Sequence, residues 1–472
     1  MDATFPSTFQ AIVLSFAPVF TAPSFQNFAT LASGWVLCSG RHTITRVLLC
    51  GCGPGRRKHF STLYRFFSRA RWDTDRLGRV LLSLLLPLVG DQIVVIVDDT
   101  LCRRSGPHFW GAAMHHDPLA SSYGRPAAAG RMMRWAFGHN WVVLALHVPL
   151  PWNAARGVAV PILWRLYRGK KGCPAAAYHK KTEWARELVD LVASWLPEER
   201  DLTVLGDGEY ACRTVVRRLP AGAQFTGPML MGAAVYDEPR SQPARGRRLK
   251  GDRLPSPRAL AEDGSVRWRM IRPTIYGREV PVKIKTQVCL WYSVAHTRPV
   301  RMIVTRDPAG RIEDRAYFTT DLSLSVEQVL ADFSKRWSLE VAFRDAKQHL
   351  GLEDPQNGWW RRAKRLRRRK KKPGPQPKRR RGAPAILHTV PLAFCAYGLV
   401  IVWYLRHGKP AEDVARVRRR CPWYRQKKEP SFADMLGAVR REFHNARILR
   451  YPLLKRVRQN IFRLFYDLAQ AA

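Results

Sequence analysis

Continuous apolar runs of strand length alternate with helical patterns in the middle of the chain. Gln92 to Val97 is such a run, and it ends abruptly at Asp98-Asp99-Thr100, as a buried strand with carboxylates at its carboxyl end would. Two more strands, a helix, a fourth strand and a second helix are predicted to follow. Their ranges are Trp141 to Leu150, Val158 to Tyr167, Thr182 to Trp195, Leu202 to Leu205 and a segment that ends at Val216. Asp207 comes just after the fourth strand.

The segment from about 222 to 322 has a β-rich pattern. Its predicted strands are Val266 to Ile271, Val280 to Lys285, Thr286 to His296, Val300 to Thr305 and Arg315 to Thr320. Residues 238 to 257 are rich in Pro, Gly and Arg, which predicts an exposed loop.

A helix is predicted to begin at Ser325, because Ser325 and Gln328 form a capping box ahead of apolar positions. At about 100° per residue, four side chains then lie on one side of the helix. They are Phe333, Arg336, Glu340 and Lys347. One carboxylate is therefore flanked by two cations. By itself this pattern also fits a simple Arg-to-Glu helix pair worth about 0.3 kcal/mol.

Both ends of the chain have helical patterns. In the first 88 residues, SGRHTITRVLL at 39 to 49 has a polar cap, two Arg and an apolar stripe, as a small helix-turn-helix would. Basic residues interleaved with aromatic residues follow, so a cationic helical surface is expected. The candidates for DNA contact here are Arg46, Arg56, Arg57 and Lys58. A helical tail is predicted from Ile386 onward.

Charge narrows the choice of partner. The 472 residues include 80 Lys and Arg against 37 Asp and Glu, a formal net charge of +43, so a polyanion is expected, with nucleic acid ahead of an anionic membrane. Residues 361 to 384 combine like charges with repeated Pro and predict a disordered basic linker. The apolar run Ile386 to Leu405 is long enough to cross a bilayer, but it holds His388, Thr389 and Pro391, so a buried helix is favoured.

Composition also bears on compartment and cofactors. The nine cysteines are scattered without a repeated pair spacing, which favours a reducing cytosol over a disulfide framework. The first basic residue is Arg41, so no secretory signal is predicted. The chain has no phosphate-cradling loop for ATP, and no nucleotide cofactor is expected.

The aromatic-x2-Arg-x3-Glu-x6-Lys spacing resembles the signature helix of IS4-type and IS701-type DDE transposases of bacterial insertion sequences. Tyr usually opens that helix, and Phe333 stands in its place here. Arg336, Trp337, Glu340 and Lys347 agree with the pattern. The resemblance covers roughly residues 90 to 405.

The resemblance implies an α/β fold with a ribonuclease-H-like core and a β-rich insertion, and a catalytic set of Asp98, Asp207 and Glu340. Asp98 and Asp99 point to opposite faces of a strand, and physical reasoning alone does not choose between them. The family's first motif places Thr two residues after the catalytic Asp, which matches Asp98. Carboxylates suit Mg²⁺, with Mn²⁺ as a substitute, and two ions are expected. The resemblance also implies that Arg336 and Lys347 hold DNA phosphates.

We therefore expect a cytoplasmic DNA transposase that cuts double-stranded DNA at its element's ends, joins the 3′-OH to target DNA and works as a dimer on DNA, without a membrane. The alternatives are a catalytically inactive DNA-binding descendant and another ribonuclease-H-like nuclease. The predicted organisation is as follows: a DNA-binding helical domain at 1–88, the core at 89–221, the β-rich insertion at 222–322, the Glu helix at 323–360, the linker at 361–384 and a helical region at 385–472.

Overall fold

The fold was analysed in a computed structural model. It describes residues 6–52, 58–104, 109–117, 134–197, 199–239, 249–355, 379–448 and 460. Five helices open the chain, in agreement with the helical pattern of its first part. They are α1 (Ser7–Leu14), α2 (Ala22–Leu37), α3 (Ile44–Gly51), α4 (Phe60–Ser68) and α5 (Thr74–Leu85).

Fourteen strands follow within the described part of the chain. They are β1 (Ile93–Arg103), β2 (Ala113–His116), β3 (Trp135–Leu150), β4 (Asn153–Tyr167), β5 (Leu202–Gly206), β6 (Gln224–Met229), β7 (Val235–Tyr236), β8 (Arg253–Leu254), β9 (Arg269–Ile271), β10 (Thr274–Ile275), β11 (Arg278–Glu279), β12 (Val282–Cys289), β13 (Val300–Arg306) and β14 (Arg315–Thr319). The helices between and after them are α6 (Lys181–Ala193), α7 (Arg213–Val216), α8 (Pro257–Glu262), α9 (Tyr292–Ala295), α10 (Val326–Lys335), α11 (Trp337–Leu350), α12 (Arg379–His407), α13 (Pro410–Arg420) and α14 (Phe432–Ile448).

Ten of the strands form one mixed sheet. Its order is β2-β3-β1-β5-β6-β14-β13-β12-β9, and β4 pairs with β3. β1 is antiparallel to β3 and parallel to β5, and β5 is parallel to β6. Five strands of the β-rich segment, β6, β14, β13, β12 and β9, therefore continue this sheet, while β7 with β8 and β10 with β11 form separate two-stranded sheets. The molecule has a mixed α/β fold.

Helices from both ends of the chain cover the sheet. α5, α11 and α12 pack against β4, while α6 packs against β3 and β4. α12 also contacts α2, α4, α5 and α14. Its segment Gly382–His407 is long and apolar enough to cross a membrane, but 89% of its apolar window is buried inside the protein. The preference for a buried helix over a membrane span agrees with this packing.

The first predicted strand ends later than expected. The apolar run predicted an end at Val97, but β1 continues to Arg103 because β3 pairs with it from Val95 to Arg103. The parallel pairing with β5, in contrast, ends at Val97 opposite Gly206. Asp98 and Asp99 therefore lie inside β1, at the level where its neighbour β5 ends.

Several other predicted boundaries were wrong. β3 begins at Trp135 because it also pairs with β2, and β4 begins at Asn153 because its pairing with β3 reaches that residue. The predicted strands Val280 to Lys285 and Thr286 to His296 form one strand, β12, and the predicted loop contains β8, which pairs with β7.

The strand Thr286 to His296 ends at Cys289, because Cys289 already pairs with Val300 and the chain must turn between them; α9 occupies part of that turn. The helical tail begins at Arg379 instead of Ile386, so it takes in the last residues of the predicted linker. The rest of the linker, 361 to 378, lies outside the described residues, as do 240 to 248 of the predicted loop.

Candidate active site

Strand register brings Asp98 and Asp207 together. Val97 and Gly206 are the last paired residues of the parallel strands β1 and β5, and each Asp follows directly. Neighbouring strands lie about 4.8 Å apart, so the two carboxylates leave the sheet side by side. Burial first, and then the negative charge of Asp207, raise the pKa of Asp98 to about 8. Two acidic groups so placed are suited to a cation.

Glu340 reaches the same place from α11. The Arg336 guanidinium lies 3.1 Å from an Asp98 carboxylate oxygen through Nη1 and 2.8 Å from a Glu340 carboxylate oxygen through Nη2. Arg336 also interacts electrostatically with Asp207. One guanidinium therefore links the helix to β1: it pairs with two of the three predicted catalytic carboxylates and interacts electrostatically with the third. The side chains of Asp98 and Arg336 are 13% and 18% exposed, so this contact is largely shielded from solvent.

The break between α10 and α11 at Arg336 positions the side chains of Arg336 and Glu340 at the site. The capping box of Ser325 and Gln328 starts α10 as predicted, and both of its hydrogen bonds are present. Arg336 stands between α10 and α11 with helical backbone angles. Arg336 and Glu340 are one turn apart on the same face, which allows the ion pair between them.

Long-range hydrogen bonds hold α11 against β1 and the N-terminal helices. Lys347 Nζ donates to the carbonyl of Leu101 on β1 at 2.8 Å. Trp35 Nε1 donates to the carbonyl of Leu350 at 2.8 Å. At the end of the helix, Gly351 takes a positive φ of 53°, which favours glycine. These contacts fix the C-terminal end of α11, and the Arg336–Asp98 contact fixes its N-terminal end, so the position of Glu340 relative to Asp98 is set from both ends.

Asp99 lies on the opposite face of β1 and is part of a separate network. Its carboxylate accepts hydrogen bonds from Lys181 Nζ at 3.1 Å, Tyr210 Oη at 3.0 Å and Asn140 Nδ2 at 2.8 Å. The Asp99 side chain is 18% exposed, so these donors satisfy a largely buried charge. The predicted division of the two faces between Asp98 and Asp99 agrees with these contacts.

Backbone hydrogen bonds orient Asp207. Its Oδ1 accepts from the N–H of Glu209 at 2.9 Å and of Tyr210 at 3.3 Å, which closes a turn after β5. The same turn places Tyr210 within hydrogen-bond distance of Asp99. The segment DGEY therefore supplies Asp207 on the face of Asp98 and Tyr210 on the face of Asp99.

The other predicted site residues have varied surroundings. Phe333 packs against the ring of Tyr317 at 4.9 Å between centroids, and Trp337 is 49% exposed. Arg46 is exposed on α3, while Lys58 donates to Asn27 at 3.0 Å. Arg56 and Arg57 lie outside the described residues. Lys347 uses one of its three N–H donors for the Leu101 carbonyl, and its contact with a DNA phosphate stays a prediction.

Sequence reasoning missed two features of the site. Lys181 and Tyr210 hold Asp99, and no local pattern pointed to either residue because the contacts join separate elements. The hairpin of β10 and β11 was also missed. Its turn, Tyr276-Gly277, lacks the Asn-Gly or Asp-Gly signal that identifies a two-residue turn.

The carboxylates have the chemistry of ligands for a divalent metal ion, and the positive charge of Arg336 lies between two of them. Hard oxygen donors from Asp and Glu are the ligands that Mg²⁺ and Mn²⁺ prefer. No group of three or more potential metal ligands is gathered around a single point in the part of the chain that the structure describes. A metal between Asp98 and Glu340 would therefore have to take over the place of the guanidinium.

A mixed sheet that brings acidic side chains to adjacent strand ends, in a strongly basic protein, is the arrangement expected of an enzyme that cleaves nucleic-acid phosphodiesters. A family described as DDE superfamily endonuclease matches residues 15–297, and one described as Archaeal putative transposase ISC1217 matches residues 277–366. No curated protein matches the chain at a significant level.

The chain belongs to the DDE superfamily endonucleases, since that match spans more than half of its length. It is a transposase enzyme, a DNA endonuclease and strand transferase, and enzymes of this superfamily generally use divalent metal ions. The first match includes Asp98 and Asp207, and the second includes Glu340.

Proposed function

We propose that Asp98, Asp207 and Glu340 are the catalytic residues and that they bind two Mg²⁺ ions, for which Mn²⁺ can substitute. The observation that carries the proposal is the shared guanidinium: Arg336 pairs with Asp98 and Glu340, while strand register sets Asp207 beside Asp98. When bound, the metals would activate the attacking hydroxyl and stabilise the leaving oxygen.

The side chains around the metals have separate roles in this proposal. The three carboxylates would hold the metal ions in defined positions, because each carboxylate is fixed by a strand end or by the anchored helix α11. Arg336, once it leaves Asp98 and Glu340, is free to donate to a DNA phosphate, and guanidinium is well suited to such contacts. Asp99 keeps β1 in place through Lys181 and Tyr210.

The core that carries these residues is, in our proposal, ribonuclease-H-like. Strand order and direction support it: β4-β3-β1-β5-β6, with β1 antiparallel to β3 and parallel to β5, and with helices on both faces. Asp98 sits on the central strand β1, and Asp207 follows the adjacent strand β5.

DNA contact by the N-terminal helices follows from their exposed cations. Arg65 and Arg69 line a shallow cleft with Asn27 and Thr62, and Arg76 and Arg79 on α5 are exposed. We propose that residues 1–88 bind the double-stranded ends of a bacterial insertion sequence, that two copies act together on DNA, and that the protein works in the cytoplasm. IS4-type and IS701-type elements remain the expected class.

The test separates DNA binding from cutting. Asp98→Asn, Asp207→Asn and Glu340→Gln keep the shape of each side chain but weaken metal coordination. Each variant should shift a duplex that carries the terminal repeats flanking the gene, yet fail to nick it in Mg²⁺. Asp75→Asn, which alters an ion pair with Arg165 away from this site, is the control and should still cut. Normal cutting by all three site variants would remove this assignment.

A further inference from the structure

The turn of the β10–β11 hairpin contains Tyr276, whose backbone conformation is unfavourable for an aromatic residue. Thr274 pairs with Glu279 and Ile275 with Arg278, which leaves Tyr276 and Gly277 as a two-residue turn. Both turn residues have positive φ, 52° and 76°, as a type I′ turn requires. Glycine adopts this conformation freely, but a bulky aromatic residue does so at a conformational cost, and Asn is the preferred residue at the first position.

Burial does not offset that cost, because the Tyr276 side chain is 60% exposed. A strained and exposed aromatic residue at a hairpin tip is better explained by a contact outside the folded chain than by packing. The hairpin is nevertheless fixed in place. β10 packs against α10, and a Cβ at Gly277 would lie 3.0 Å from Arg156 Cγ, so the tip rests against the side chain of Arg156.

The hairpin lies on the side of the molecule that carries Arg336, because β10 packs against α10 and α10 ends immediately before Arg336. The phenol of Tyr276 interacts electrostatically with Arg336 and Glu340, and also with Arg315. A tyrosine hydroxyl keeps its proton at neutral pH and can donate a hydrogen bond. Arg278 and Arg315 are exposed beside it. Cations, a hydroxyl donor and access from solvent therefore meet at this point, and together they can bind a DNA phosphate.

We propose that Tyr276 is a further substrate-binding residue, whose hydroxyl donates a hydrogen bond to a DNA phosphate at the cleavage site, beside Arg336. The inference rests on the proposed function of Asp98, Asp207 and Glu340. It also identifies a hydroxyl at a site where the signature helix itself begins with Phe333 and supplies none.

Two substitutions test the proposal in the full-length protein. Tyr276→Phe keeps the ring and the turn but removes the hydroxyl, and Tyr276→Asn places the residue that a type I′ turn prefers. The assay is single-turnover nicking, at saturating enzyme in Mg²⁺, of a labelled duplex carrying the terminal repeats. Tyr424→Phe is the matched control, since Tyr424 is also exposed, at 52%, and belongs to the C-terminal region and not to the β10–β11 hairpin.

Both Tyr276 variants should nick at least about tenfold more slowly, as expected for a lost hydrogen bond to a charged group. Tyr276→Asn should unfold at the same temperature as the native protein or higher, which excludes misfolding as the cause. Nicking by Tyr276→Phe at the native rate would overturn the inference, provided that Glu340→Gln is inactive. If Glu340→Gln also cuts normally, the assignment of the carboxylate site has failed as well.

Discussion

Glu340→Gln separates the catalytic role of this carboxylate from its structural one. Glu340 is 35% exposed and pairs with Arg336 at 2.8 Å across one helical turn. Such a partly exposed helix pair contributes about 0.3 to 0.5 kcal/mol to stability. In a protein of this size, a loss so small lowers the melting temperature by no more than about 2 °C. The substitution should therefore leave the fold intact.

Catalysis should respond on a different scale. Gln keeps the length and shape of Glu but has no charge to offer a metal, so the nicking rate should fall at least about 100-fold, or about 2.7 kcal/mol in activation free energy. DNA affinity should be unchanged or slightly higher, because a negative charge near the phosphates has been removed. Nicking is followed on end-labelled duplex in Mg²⁺, binding by anisotropy in EDTA, and stability by thermal unfolding.

Glu187→Gln is the matched control. Glu187 pairs with Arg165 at 2.9 Å and is 44% exposed, which closely resembles the environment of Glu340, but it lies on α6 away from the site. It should cut at the native rate. Native-rate cutting by Glu340→Gln would refute the catalytic assignment of Glu340. A large fall in melting temperature, together with lost binding, would show that the carboxylate is mainly structural.

Three further predictions concern metal, salt and the opposite face of β1. The pKa of Asp98 is about 8 in the folded protein and about 4 in the unfolded chain, so the metal-free protein should lose stability as the pH rises between these values. Mg²⁺ should therefore raise the melting temperature more at pH 8.5 than at pH 6. An equal rise at both pH values would contradict this prediction. A plot of log DNA affinity against log salt should be steep, at about −0.9 per phosphate contact, and Arg65→Gln with Arg69→Gln should flatten its slope by about 2; an unchanged slope would exclude these arginines from the interface. Asp99→Asn should lower the unfolding free energy by about 1 to 3 kcal/mol in urea titrations, because Lys181 loses its charged partner. The variant should still nick DNA. A stable but inactive variant would show that the first catalytic residue is Asp99 and not Asp98.

Much of the candidate site could be predicted from local pattern. The capping box at Ser325 and the one-turn spacing of Arg336 and Glu340 depend only on helix geometry, which is the same in any helix. The opposite orientation of Asp98 and Asp99 likewise follows from the two-residue period of a strand. These predictions held because they concern neighbours in the chain.

Boundaries and partners depended on contacts between distant segments. β1 extends to Arg103 only because β3 pairs with it, and the apolar run that ends at Val97 carries no trace of that pairing. The packing of helices on the sheet brings Lys181 to Asp99 and Lys347 to the Leu101 carbonyl. A side chain's charge can be known from sequence, but its partner is chosen by the tertiary fold.

By itself, then, the sequence determined the basic character of the protein and much of the alternation of strands and helices, and its resemblance to a known family supplied the three acidic residues proposed for the site. Only the tertiary structure decided that Arg336 stands between Asp98 and Glu340, and that the strained Tyr276 interacts electrostatically with Arg336 and Glu340. The physical reason is range. Periodicity and capping act over one or two turns of chain, whereas the site is assembled by strand register and helix packing between residues from about one hundred to more than two hundred positions apart.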